Sequence, residues 1–279
     1  MIMDLGKPIG YGRTSEIYAW KNDQVLKLFY DWFGMESIER EARIARAVHE
    51  SGLPVPDVGE ILHINNRNGL LYERVFGQPM WRIIRHRPWV AARYARRCAE
   101  LQAGLHSMTI PIDLPKQRKN MVDRISQAKS IPNQLRSRAL EELETLPDDD
   151  RLCHGDFWPG NVLMTSKGEI IIDWLHASLG NPRADVARSA ILCLGGAETR
   201  QIQRPFLSLS TAKTSLLLNP LIKLFLHSAF AAYLQRYFEL RPGSEDEYRR
   251  WLPIIIVERL SDNIPELEHW LMDQLEKYQ

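Results

Sequence analysis

The sequence has few cysteines, no uninterrupted apolar run of membrane length and no excess of either charge. Three cysteines among 279 residues, with no pair at C-x-x-C spacing, exclude a disulfide framework and a zinc knuckle and predict a reduced, cytoplasmic setting. The 36 Lys and Arg residues are balanced by 35 Asp and Glu residues, so no overall charge favours nucleic acid or an anionic membrane. The start, MIMDLGKPIGYG, reaches glycine and proline too early for a signal peptide.

The most apolar long stretch, residues 215–234, is interrupted by Asn219, Pro220 and Lys223. Polar and charged groups are costly in hydrocarbon, so this stretch predicts a buried helix rather than a membrane span. We therefore expect no membrane partner. The arginine-rich segment 82–97 raises nucleic-acid binding as an alternative, but the nearly neutral chain favours a solvated helix face, and we expect no nucleic-acid partner.

Periodicity divides the chain into a short strand-rich part and a longer helical part. Alternating β-rich runs around one helix occupy residues 1–76, and helical spacing dominates residues 77–279. Within the second part, three successive isoleucines at 170–172 indicate a buried strand. Length and composition fit an α+β protein with two unequal domains.

One loop carries polar residues at fixed offsets. HGDFWPGN places Asp156 two residues after His154 and Asn161 five residues after Asp156. This H-x-D-x-x-x-x-N spacing is that of the catalytic loop in protein-kinase-type phosphoryl transfer, where the aspartate orients the attacking hydroxyl and the asparagine holds a metal ion. Asp173 ends the next apolar strand, where a carboxylate needs a cation such as Mg²⁺. Asp156 is therefore the predicted catalytic base, and Asn161 and Asp173 are the predicted metal pair.

A lysine and a glutamate of the N-terminal part occupy apolar patterns. Lys27 lies between Leu26 and Leu28 in a strand, so alternation directs it to the face opposite both. Glu41 falls on the apolar stripe of the following helix, and a buried glutamate needs a partner. Lys27 is the natural candidate, because a strand lysine paired with a helix glutamate is how kinases hold the lysine against nucleotide phosphates. A surface ion pair is the plainer alternative.

Together these motifs resemble the aminoglycoside phosphotransferase and choline kinase family of protein-kinase-like small-molecule kinases. The resemblance depends on HGDFWPGNVL, on IIDWLHASLGNPRADVA and on the lysine and glutamate pair. It implies a two-lobed protein-kinase-like fold, with a small β-rich N-lobe that binds the nucleotide and a larger, mainly helical C-lobe that carries the catalytic and substrate-binding residues. It also implies transfer of the γ-phosphoryl group of ATP, with Mg²⁺, to a hydroxyl of an aminoglycoside, a choline-like or other amino-alcohol, or a sugar. GTP in place of ATP, and a monomer or a dimer, stay open.

The resemblance implies roles for further residues. Gly10 and Gly12 would cover the phosphates, although Ser15 replaces the third glycine of the loop and an ordinary hairpin turn would explain both. The backbone from Glu73 to Val75 would form the hinge that receives adenine. An aspartate twelve residues after the metal aspartate, Asp185, would bond the catalytic loop, and so short a segment leaves no room for the peptide-docking region of protein kinases.

The wall that would receive the acceptor has the weakest pattern. Trp158 is either a core anchor or part of the acceptor site. Glu258 and Asp262, four residues apart on one helical face, would bind a cationic acceptor or would pair with Arg259 or other surface cations. A nucleotide-binding regulatory protein without transferase activity is the alternative function, and the presence of every expected catalytic residue argues against it.

Overall fold

The chain divides into two compact units. The computed structural model describes residues 3–21, 23–108, 113–128, 131–198, 212–243 and 245–278, with side chains described outside 196–198 and 212–223. The first unit comprises residues 1–79, 111–114 and 161–176, and the second comprises 80–110, 115–160 and 177–279. The division into lobes at residue 76 stays a prediction, and the first unit also includes the segment that follows the catalytic loop.

The first unit contains two antiparallel sheets and one helix. Its strands and helix are β1 Gly10–Tyr11, β2 Ser15–Trp20, β3 Gln24–Phe29, α1 Met35–Glu50, β4 Val58–Ile64, β5 Arg67–Glu73, β6 Gln78–Pro79, β8 Val162–Thr165 and β9 Gly168–Ile171. The larger sheet has the order β1-β2-β3-β5-β4, and the smaller has the order β6-β8-β9. After α1 the chain turns at Gly52, whose φ of +83° suits a residue without a Cβ atom.

Alternation along β3 separates two apolar clusters. Leu26 and Leu28 belong to a cluster on one side of the sheet. Phe29 belongs to the other cluster, which includes Ile38 of α1 and Leu70 of β5. Because residues two apart in a strand point to the same side, Lys27 lies on the side of α1, as the alternation predicted.

The second unit is mainly helical. Its helices and strands are α2 Met80–His86, α3 Ala91–Ser107, α4 Gln117–Gln127, α5 Asn133–Thr145, β7 Arg151–Cys153, β10 Ser178–Gly180, α6 Pro182–Glu198, α7 Ala212–Leu240, α8 Glu245–Leu260 and α9 Pro265–Leu275. Helix α3 packs against α7, and α6 packs against α8. The two short strands pair in antiparallel register and flank the catalytic loop in the chain. A break near Pro132 separates α4 from α5.

The apolar stretch 215–234 lies in α7, as predicted. Its predicted burial is wrong at Leu224 and Phe225, which are 65% and 40% exposed, and right at Ala229 and Tyr233. The side chains before residue 224 lie outside the described residues. Among the described helices, none combines the length and the apolar content needed to cross a membrane.

Candidate active site

A buried lysine lies between two carboxylates in the first unit. Nζ of Lys27 is 2.6 Å from Oε1 of Glu41 and 3.1 Å from Oδ1 of Asp173. The hydroxyl of Tyr72 donates to the same Glu41 oxygen at 2.7 Å. Burial lowers the pKa of Lys27, but the charges of Asp173 and Glu41 outweigh it and raise the pKa above its usual value. The lysine is therefore a fixed cation at neutral pH, and its burial excludes the plainer surface ion pair.

The two candidate metal ligands lie at one end of the β8–β9 hairpin. Val162 pairs with Ile171, and one step beyond this pair the N–H of Ile172 donates to the carbonyl oxygen of Asn161 at 2.9 Å. Asp173 follows with a φ of +67°, a left-handed conformation that is uncommon outside glycine, asparagine and aspartate. Amide and carboxylate oxygens are the donors that Mg²⁺ prefers. By chemistry and placement, Asn161 and Asp173 fit a divalent cation.

The catalytic loop is held by a buried carboxylate of the second unit. Asp185 accepts hydrogen bonds from the backbone N–H groups of Gly155 at 2.7 Å and His154 at 3.3 Å. The side chains of Gln102 and His106 approach it to 2.7 and 3.0 Å. Burial raises the pKa of Asp185, but the hydrogen bond and charge of His106 and the bond from Gln102 lower it to about 2. The structural role that the resemblance implied for Asp185 is confirmed.

His154 braces the same loop from inside. Its Nδ1 lies 3.2 Å from the backbone nitrogen of Asp156, which donates to it. The ring is fully buried and meets the ring of Phe157 edge-on, with centroids 5.9 Å apart. Asp156 itself is only partly buried. The geometry supports a bracing role for His154.

The two acids considered for a cationic acceptor contact arginines. Glu258 is buried, contacts Arg188 and lies 2.8 Å from Nε of Arg124. Asp262 lies in the turn after α8, so the prediction that it shares one helical face with Glu258 is wrong, and it contacts Arg124 and Arg259. The Arg188 side chain also donates to a carbonyl oxygen of the catalytic loop. These pairs correspond to the alternative in which the acids meet arginines, and a substrate role for either acid stays a prediction.

Trp158 forms part of a cavity wall in the second unit. Its ring lies 6.3 Å from the ring of Trp81, at an angle of 45°. A Cβ atom at Gly160 would lie 2.1 Å from the indole, so only glycine leaves room for the ring in this position. Its contact with substrate stays a prediction.

Gly10 and Gly12 lie in and beside the β1–β2 hairpin. Gly10 pairs with Ile17, and the N–H of Gly12 donates to the carbonyl oxygen of Ser15 at 2.8 Å. A Cβ atom would meet its nearest neighbours at 3.6 and 3.4 Å, which are ordinary contacts. Neither position therefore requires glycine for steric reasons, and their phosphate-binding role stays a prediction.

The predicted hinge begins where β5 ends. The N–H of Glu73 donates to the carbonyl oxygen of Asp57 at 2.9 Å, and the N–H of Arg74 donates to that of Asp23 at 2.8 Å. Val75 follows in irregular chain before β6. The two bonds anchor the start of this segment, and its contact with adenine stays a prediction.

A sequence model of the phosphotransferase enzyme family matches residues 18–208. This range covers more than half of the chain and includes Lys27, Asp156 and Asp185. The chain belongs to the phosphotransferase enzyme family. The family and the enzyme class predicted from the motifs are confirmed. No curated protein matches the sequence of this phosphotransferase closely enough to count as a relative.

Solved structures share the fold of this phosphotransferase. Aminoglycoside-3'-phosphotransferase of type VIII is 20% identical, with 90% of this chain and 91% of that chain covered and a TM-score of 0.56. Aminoglycoside phosphotransferase APH(4)-Ia is 15% identical, with coverages of 97% and 88% and a TM-score of 0.59. A thermostable mutant of the latter, in complex with ADP and hygromycin B, is 16% identical, with coverages of 90% and 93% and a TM-score of 0.50. The predicted kinase-like fold is thereby confirmed.

Two kinds of partner were missed by the reasoning from sequence. The first is Tyr72, which contacts Glu41. Alternation along β5 could have indicated it, because Tyr72 lies on the same side of the sheet as Leu70, and Leu70 pairs with Lys27. The arginines around Glu258 had no such signal, because they come from helices distant in the chain.

The hydroxyl of Tyr72 contributes to the lysine site through its hydrogen bond to Glu41, and replacement by phenylalanine removes that bond alone. Hydrogen bonds to charged groups contribute about 1.5–3 kcal/mol, so Tyr72→Phe should lower the free energy of unfolding by this amount in urea titration. Tyr18→Phe is the matched control, because Tyr18 donates to the less buried Glu16 at 3.2 Å, and its loss should stay below about 1 kcal/mol. Equal losses in the two variants would contradict this role for Tyr72.

The lowered pKa of Asp185 predicts a loss of stability in acid. A carboxylate whose folded pKa lies below its unfolded value stabilises the protein above about pH 4, and this contribution is lost as the pH falls towards 2. The difference in unfolding free energy between the wild type and Asp185→Asn should therefore shrink by about 2 kcal/mol between pH 5 and pH 2.

Urea titrations at a series of pH values measure this difference. Asp246→Asn, on the exposed start of α8, is the control and should track the wild type throughout. A difference for Asp185→Asn that does not change with pH would show that the residue acts without its charge.

Proposed function

We propose that this phosphotransferase moves the γ-phosphoryl group of ATP, with Mg²⁺, to a hydroxyl group of a small molecule. The observation that carries the proposal is the buried ammonium group of Lys27 between the buried Glu41 and the partly exposed Asp173. In kinases a lysine and glutamate pair of this kind holds nucleotide phosphates, and an aspartate in this position holds the metal. The solved complex of the APH(4)-Ia mutant with ADP and hygromycin B supports a nucleotide and a small molecule as the two ligands.

The nucleotide is held by residues of the first unit. Nζ of Lys27 neutralises phosphate charge, and Glu41, fixed in turn by Tyr72, keeps the ammonium group in place. The backbone at Gly10 and Gly12 covers the phosphates. The backbone from Glu73 to Val75 receives the base, and ATP is favoured over GTP only by the resemblance to ATP-dependent kinases.

Asp156 prepares the acceptor. Its carboxylate accepts the proton of the acceptor hydroxyl, whose oxygen forms a bond to the γ-phosphorus. The bond between the γ-phosphorus and the bridging oxygen breaks, and its electron pair leaves with ADP. Asn161 and Asp173 hold Mg²⁺, which supplies neutralisation of the phosphate charge when it is bound. Asp185 and His154 act on the backbone around Asp156 rather than on the substrate.

A small molecule is favoured over a protein as acceptor because the segment from Asp173 to Asp185 is too short for a peptide-docking region. The three cysteines, Cys98, Cys153 and Cys193, carry free thiols, which supports the proposed cytoplasmic setting.

Replacement of the proposed base tests the assignment. Asp156→Asn keeps the size of the side chain but cannot accept the proton, so kcat should fall by about 10²–10⁴. Because Asp156 does not take part in holding the nucleotide, the Kd for AMP-PNP with Mg²⁺ should change less than about threefold, which is below 1 kcal/mol. Mass spectrometry of a mixture of aminoglycosides, amino-alcohols and uncharged alcohols, incubated with Mg-ATP, detects any acceptor that gains a phosphoryl group.

Two further variants sharpen the experiment. Lys27→Ala should weaken AMP-PNP binding, and the exposed Asp246→Asn should match the wild type in both assays. A near wild-type kcat in Asp156→Asn would show that this residue is not the base. Tight nucleotide binding with no transfer to any alcohol would favour the regulatory alternative.

A further inference from the structure

An apolar cavity opens beside the catalytic loop in the second unit. Its enclosed volume is about 70 Å³, it is open to solvent at its mouth, and its described walls come from α2, α3, α6, α7 and the loop itself. Three wall residues, Phe157, Trp158 and Pro159, follow Asp156 directly in the chain. The three residues that follow the proposed base in the chain therefore form part of the cavity wall.

The wall of this cavity presents carbon rather than charge. None of its described lining residues is acidic or basic. Ser189 and Tyr233 each contribute a hydroxyl group to the wall, and both hydroxyl groups are hydrogen-bonded to the side-chain amide of Gln102. Tyr233 donates to Oε1 of Gln102, and Nε2 of Gln102 donates to the Ser189 hydroxyl at 3.0 Å. An ammonium group placed against these lining residues would lose water without gaining an anionic partner from them, whereas an apolar group is stabilised by the apolar surface that it buries.

The acids that would attract a cation are already neutralised. Glu258 and Asp262 contact Arg124, Arg188 and Arg259, so cations outnumber carboxylates by one among these five side chains. Burial lowers the pKa of Arg188, but Glu258, Asp262 and Asp156 outweigh it and raise that pKa, which keeps the guanidinium charged. A polycationic acceptor therefore gains no net attraction from this part of the second unit.

We propose that the acceptor is an uncharged alcohol whose body is an aromatic or alicyclic ring system, part of which enters this cavity from its open mouth. The inference rests on the proposed function, and it specifies the acceptor class of that same site. The rings of Trp81 and Trp158 provide flat apolar faces for such a body. The hydroxyl of the alcohol gives its proton to Asp156, its oxygen bonds to the γ-phosphorus, and ADP leaves with the electron pair of the broken bond.

The cavity can be filled from two helices. Ala229 of α7 and Ala95 of α3 both line it, and leucine at either position would occupy part of its volume. Ala231→Leu is the matched control, because Ala231 lies on the exposed side of α7, two residues from Ala229. Thermal unfolding and AMP-PNP binding establish that each full-length variant is folded, and Ala95→Leu carries the test if Ala229→Leu does not fold.

The first measurement is binding of an uncharged probe, N-phenyl-1-naphthylamine, followed by its fluorescence. The wild type and Ala231→Leu should bind it equally, and Ala229→Leu and Ala95→Leu should bind it at least tenfold more weakly. The second measurement compares transfer from Mg-ATP to 2-(2-naphthyl)ethanol and to kanamycin. The uncharged alcohol should have the larger kcat/KM, and Ala229→Leu should reduce that value at least tenfold, mainly through KM.

The two measurements separate failure of this inference from failure of the proposed function. Three results would each overturn the proposed acceptor class. The wild type fails to bind the probe, neither leucine variant weakens probe binding, or kanamycin is the preferred acceptor and stays so in both variants. Transfer to kanamycin in that case would leave the phosphotransferase proposal intact. If no alcohol is phosphorylated, the proposed function fails, and probe binding that the leucine variants weaken still supports a site for an uncharged ring compound.

Discussion

Burying a carboxylate costs free energy unless hydrogen-bond donors surround it. The conformation of the catalytic loop depends on the donors that surround the buried carboxylate of Asp185. Two of its donors are backbone N–H groups of the loop, at His154 and Gly155. His106 is fixed in turn by Tyr237, at 2.7 Å. One charged group therefore sets the backbone around Asp156 and links it to α3 and α7, so the loop keeps its shape without a substrate.

The same constraint organises the first unit around a charge of opposite sign. Lys27 has two carboxylate partners, and Glu41 has the additional donor Tyr72. A cation that is fixed before phosphate arrives needs no reorganisation when charge develops, which is the usual source of electrostatic catalysis. Both units thus use a buried charge with several hydrogen-bond or ion-pair partners to hold groups that are proposed to act on a substrate.

Local patterns predicted those parts of the site that depend on residues close in the chain. Strand alternation placed Lys27 on the side of α1, and helical periodicity placed Glu41 among buried residues. The partners of Glu258 could not be predicted in this way, because Arg124 and Arg188 lie on helices distant in sequence. The apolar cavity escaped prediction for the same reason, since its wall exists only once four helices have packed.

The left-handed backbone of Asp173 has a consequence for how such an enzyme loses activity during evolution. Asparagine and glycine adopt a φ near +67° about as readily as aspartate does, whereas β-branched residues do not. A single exchange to asparagine or glycine would remove the carboxylate that is proposed to bind metal while leaving the hairpin geometry intact. A single substitution at this position is therefore enough to produce an inactive relative with the same fold, and the backbone structure of such a relative would not show that it is inactive.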